Sequence, residues 1–159
     1  MKFLGKYSRL NNEEQAIRLA IINWGIDHGG EIPWTEAIAL SKQYAPDFPE
    51  ALLLHLEEQH YFTRTPNGDI CYIYPYSAYP TDYLVTLSDG RKFYAMCAID
   101  AMGCAVTFHQ QIQIQSCCKD SGETIDMTLD PSGILSINPD DKIYATYYDT
   151  STHYVEFNC

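Results

Sequence analysis

Phe93-Tyr94-Ala95-Met96-Cys97-Ala98-Ile99-Asp100-Ala101-Met102-Gly103 is the segment that decides how the rest of this 159-residue chain is read. It has no proline, no interior glycine and few β-branched residues, which predicts a helix of about three turns. On such a helix Cys97 and Asp100, three residues apart, share one face, and Cys104 falls near the same stripe. The other residues are apolar enough for the helix to be buried. A buried carboxyl is costly unless it is hydrogen-bonded or kept protonated for a purpose. A second thiol, Cys159, lies 62 residues beyond Cys97, and a soft metal could join the two.

Working outward from this segment, residues 82–87 read as a strand and Ser88-Asp89-Gly90 as a turn leading into the helix. Beyond it the period falls to two. Ile112 and Ile114 alternate with Gln111, Gln113 and Gln115, and Ile125, Met127 and Leu129 alternate with Thr124, Asp126 and Thr128. Asp130-Pro131-Ser132-Gly133 and Asn138-Pro139-Asp140-Asp141 are turns, and short strands are expected at 134–137, 143–148 and 154–157. The second half is therefore one helix with a mostly antiparallel sheet.

The first half reads differently. Asn11-Asn12-Glu13-Glu14 starts a helix whose stripe is Leu19, Ile22 and Ile26 and which closes at His28-Gly29-Gly30. Further helices are expected at 34–44 and 48–58, the latter with Pro49 in its first turn and Leu52, Leu53 and Leu56 as its stripe. Two β-rich runs then flank Pro66-Asn67-Gly68, a hairpin signal. Three helices and a hairpin follow the order of a winged helix, yet residues 48–60 carry Glu50, Glu57 and Glu58 and no Lys or Arg. That favours a scaffold over a DNA reader. Pro75-Tyr76-Ser77-Ala78-Tyr79-Pro80 is the candidate linker, giving a winged-helix-like unit at 1–78 and an α+β core at 79–159.

Composition narrows the function. With 10 Lys and Arg against 21 Asp and Glu, the formal charge of −11 disfavours phosphate-backbone binding. No apolar run reaches the roughly 20 residues of a membrane span, and residues 1–5 are too short for the apolar stretch of a signal peptide. A cytoplasmic protein is expected. In that setting the six Cys read as free, metal-binding or catalytic rather than as a disulfide frame, and no C-x-x-C pair is present. The five His show no zinc-hydrolase spacing, and a Cys–His–Asp hydrolase lacks a nucleophile elbow.

The residues 93–102 closely resemble the signature helix of the organomercurial (alkylmercury) lyases, a Y-A-W-C-A-L-D-T-L type of segment, with Met96 in place of the usual Trp and Ala101 in place of Thr. Cys118-Lys119-Asp120-Ser121-Gly122 resembles that family's C-x-x-T-G turn, and Cys159 stands about where the family has its second active cysteine. In the family that cysteine is generally followed by another Cys and further elements, whereas this sequence stops at Cys159. The resemblance implies protonolysis of a carbon–mercury bond, with Cys97, Asp100 and Cys159 as the catalytic trio and Cys97 and Cys159 holding the mercury. It implies an organomercurial substrate, no organic cofactor, and low-molecular-weight thiols or a mercury-accepting protein to remove the product. A monomer or weak dimer is expected. A non-catalytic thiol-based binder or sensor of soft metals is the alternative. On the residues alone, Cys97 also reads as a small buried hydrophobe, Asp100 as a solvent-reaching carboxylate and Cys159 as an incidental terminal thiol. Cys118 reads as structural, and Cys104 and Cys117 as packing residues, with metal binding the alternative for Cys104.

Overall fold

The computed structural model describes residues 10–139. Three helices come first: α1 (Asn12–His28), α2 (Trp34–Ser41) and α3 (Pro49–Glu58). The start of α1 is a capping box. The Asn11 side chain accepts from the Glu14 N–H at 2.9 Å, and the Glu14 carboxylate accepts from the Asn11 N–H at 2.8 Å. Such a cap is worth about 1 kcal/mol. The buried face of α1 is Ile17, Ile21, Ile22, Gly25 and Ile26, so Leu19 lies off the stripe assigned to it.

Next, β1 (Phe62–Arg64) and β2 (Ile70–Ile73) pair antiparallel across Pro66-Asn67-Gly68, where Gly68 takes the positive φ (96°) the turn demands. The chain continues through β3 (Tyr76–Ser77), β4 (Leu84–Leu87), β5 (Lys92–Ala95), α4 (Ala98–Phe108), β6 (Ile112–Cys117), β7 (Thr124–Asp130) and β8 (Gly133–Asn138). These strands form one sheet in the order β1-β2-β3-β5-β4-β6-β7-β8, with every neighbouring pair antiparallel. The class is α+β, as expected. Among the described residues no helix is long and apolar enough to cross a membrane.

The segment expected to be a linker is instead a strand inside the sheet. Tyr76 and Ser77 are 2% and 3% exposed, with β2 on one side and β5 on the other. The two prolines bracket a short strand because the ring of Tyr76 has somewhere to go. It lies under α1 at Gly25, and its hydroxyl donates to the Gly30 carbonyl at 2.6 Å.

The helix expected from residue 93 begins only at Ala98. Residues Lys92–Ala95 are a strand paired on both edges, with Phe93 and Ala95 buried and Tyr94 half-buried between them. That period of two fits a pleated sheet, and two waiting edges override a modest helix propensity. The helix then continues past Gly103 to Phe108. It packs across β4, β5, β6 and β7, burying Ala101, Cys104 and Ala105 on the sheet face that carries Val85, Phe93, Ile112 and Ile114. The opposite face presents Lys92, Gln113 and Gln115 to water. The strands expected at 143–148 and 154–157 fall outside the described residues.

Candidate active site

The switch from β5 to α4 creates the site. Cys97 is the N-cap of α4 in an extended conformation (φ −152°, ψ 176°), and Asp100 is in the first helical turn. The two were expected to meet as neighbours on a helix face. They meet because an N-cap side chain and the third helical residue converge at a helix start. The Cys97 side chain makes no capping hydrogen bond, but the thiol and the carboxyl stand close enough that each alters the proton affinity of the other.

Electrostatics at this corner pull in opposite directions. The amides of Ile99 and Asp100 favour a thiolate, as a helix N-terminus does. Desolvation of the sulfur and the nearby Asp100 charge outweigh them, and the Cys97 thiol is pushed up to about 11. The residue as a whole is exposed, so this desolvation is one-sided crowding rather than enclosure. Burial also raises the Asp100 carboxyl, and its contacts with Cys97 offset only part of that rise. Both groups therefore hold their protons harder than the same groups in water.

Cys104, one turn further on, is fully buried, and its thiol donates to the Asp100 carbonyl at 3.3 Å. Burial pushes it well up. It is the packing residue the sequence suggested. Cys117 is not: it is exposed at the end of β6. Cys118 opens the turn to β7, where the Ser121 hydroxyl and the turn amides draw its thiol below the ordinary value of 9.0. His109 caps the far end of α4, away from Cys97. Cys159 and His153 lie outside the described residues. Among the described residues no group of three or more His, Cys, Asp and Glu could hold a metal ion.

Two further residues reach the corner, Tyr83 and Tyr74, with Arg18 behind Tyr74, and no local signal in the sequence marks them. Tyr83, just ahead of β4, is pushed up by burial and by the charges of Cys97 and Asp82. Tyr74, between β2 and β3, is pushed up to about 12 by burial, then by Asp100 and Cys104. Arg18 of α1 is 4% exposed and donates to the Tyr74 carbonyl from Nε and Nη2 at 3.0 and 2.8 Å. Only the sheet order, which sets β3 against β5, brings these residues beside α4.

These environments set an order of thiol reactivity. At pH 7.5, about the ambient value at which thiolate fraction decides the rate, iodoacetamide should label Cys118 before Cys97 and leave Cys104 unmodified in the folded chain. Because the Cys97 thiol is raised, its labelling should climb with pH toward about 11 rather than level off near 9.0. Peptide mapping of the labelled cysteines checks both statements. Fast labelling of Cys97 at neutral pH would contradict the raised thiol.

A sequence profile of the alkylmercury lyase family (MerB) matches residues 76–159. Two curated alkylmercury lyases, from Bacillus cereus and Clostridium butyricum, are each 33% identical over 60 residues, covering 38% of this chain and 27% of theirs. The chain thus matches only about a quarter of the length of those relatives. A crystal structure of the mercury-bound form of MerB2 superposes with a TM-score of 0.60 at 22% identity, over 84% of this chain and 63% of that one. At that identity the likeness concerns the fold.

Proposed function

The chain belongs to the alkylmercury lyase family, and from that premise we propose that it cleaves carbon–mercury bonds by protonolysis. The observation that carries the reading is the thiol–carboxyl pair Cys97–Asp100 at the start of α4, inside the matched region. Mercury(II) is soft and selects sulfur. As the Cys97 sulfur bonds to R–Hg⁺, its proton passes to the adjacent Asp100 carboxylate. A carboxyl with a raised proton affinity keeps that proton near the reacting carbon instead of losing it to water.

Cys159 supplies the second thiolate in this reading. Its proton goes to solvent, and the added sulfur raises electron density on mercury and makes the carbon more basic. Asp100 then protonates the carbon, the C–Hg bond breaks, R–H leaves, and Hg²⁺ stays between two thiolates. In balance, two thiols and R–Hg⁺ give R–H, a mercury bis-thiolate and one proton. Exogenous thiols or a mercury-accepting protein take the metal away. The reading needs no organic cofactor, and it places a monomer or weak dimer in the cytoplasm as a detoxification enzyme.

We read the order α1-α2-α3-β1-β2 as a winged-helix arrangement acting as a scaffold, with 1–78 as the supporting unit and 79–159 as the catalytic one. The absence of Lys and Arg from α3 argues against nucleic acid as its partner.

The test is release of benzene from a phenylmercury salt by the purified chain in excess dithiothreitol. Catalytic release supports the proposal. Stoichiometric mercury uptake with no benzene sinks it and leaves a thiol-based metal binder of the same fold.

A further inference from the structure

We propose that Tyr74 is a positioning residue for the Cys97–Asp100 pair, seated on α4 at Gly103 and held there by Arg18 of α1. Its consequence for turnover rests on the lyase reading; its geometry does not. A Cβ placed on Gly103 would overlap the Tyr74 hydroxyl and stand 3.1 Å from Cζ. The phenol therefore occupies the notch that the missing side chain leaves. Gly103 is three residues past Asp100 in the same helix, so the notch adjoins the carboxyl on the helix surface.

Glycine inside a helix is a poor choice for the helix alone, since alanine is the better helix former. The seated phenol gives it a reason. The other end of Tyr74 is fixed as firmly. Arg18 clamps its carbonyl with two N–H groups, steadies itself on Gln15 Oε1 at 2.8 Å, and sets its guanidinium 5.2 Å from the centre of the ring. One cation thus holds both the backbone and the ring of the residue that presses on the active helix. Through this contact the helical first half of the chain sets where the first turn of α4 lies.

The test is the set Gly103→Ala, Tyr74→Phe and the double variant. In Gly103→Ala the new methyl expels the phenol, and misplacement at that scale should lower kcat about ten- to a hundredfold with KM within about twofold. The thermal midpoint should hold, because alanine favours the helix. Tyr74→Phe keeps the ring and removes the hydroxyl that the methyl would overlap, leaving only the ring carbon at 3.1 Å to shift by a few tenths of an ångström, so the double variant should recover most of the kcat of Tyr74→Phe. The rate of Cys97 alkylation at one fixed pH gives a second readout that needs no turnover. It should rise severalfold in Gly103→Ala and return in the double variant, following the loss of packing beside Cys97.

A Gly103→Ala protein with wild-type kcat and alkylation rate, or a double variant no better than Gly103→Ala, would overturn the assignment. Should the wild type release no hydrocarbon at all, the lyase reading fails, and the alkylation rates alone decide the role of Tyr74.

Discussion

Cys97→Ser should abolish benzene release from phenylmercury, with a loss of at least about 10³-fold, as for other residues that act as one unit with their partners. The substitution preserves size and leaves the N-cap intact, since serine is a good cap in the extended conformation that Cys97 adopts. The folding consequence should therefore be small or favourable. The chemical consequence should be large, because a serine hydroxyl is a hard, neutral oxygen and mercury(II) takes sulfur in preference. The assay pairs headspace benzene with a thermal midpoint. Residual turnover within tenfold of wild type would move the primary sulfur elsewhere, with Cys118, the thiol drawn below its ordinary value, as the first place to look.

Asp100→Asn should separate chemistry from binding. The amide keeps the size and polarity of the side chain but cannot receive and return a proton, so turnover should fall by about 10²–10⁴-fold. Stoichiometric uptake of Hg²⁺ should survive, because the sulfurs are untouched. Stability should move the other way. The carboxyl is raised above its ordinary 3.8 by burial, so the folded chain binds this proton more tightly than the unfolded chain. That contribution is fully present below 3.8 and is lost as pH rises through the raised folded value. Above the raised folded value the wild type carries a charge that its partial burial disfavours, and there Asp100→Asn should melt at an equal or higher temperature. The gain should shrink as pH approaches 3.8. A variant that loses turnover and stability together at neutral pH would mark Asp100 as a structural cap instead.

A carboxyl that costs stability and a glycine that weakens its own helix sit three residues apart on α4. Such local inconsistencies gather where function asks for something that folding alone would not select. The carboxyl could be seen as an oddity in the sequence, whereas Gly103 read as the end of the helix and became an interior glycine only in the structure. The reason for Gly103 is Tyr74, and Tyr74 is held by a residue 56 positions away.

What the chain alone determined is what short-range chemistry controls. The Asn11–Glu14 capping box, Pro49 in the first turn of α3, the Pro66-Asn67-Gly68 hairpin and the alternation of β6 and β7 all depend on residues within a few positions of each other. The pairing of Cys97 with Asp100 belongs with them, since a spacing of three brings side chains together at a helix start as well as along a helix. The tertiary structure decided the rest. It turned 92–95 into a strand and made Tyr76–Ser77 a central strand rather than a linker, because strands with open edges stood on both sides of each. It also brought Tyr74 and Tyr83 to the thiol and carboxyl and set Arg18 behind Tyr74. Strand order is fixed by which buried faces match across the whole sheet, and that match involves residues too far apart in sequence for any local pattern to carry it.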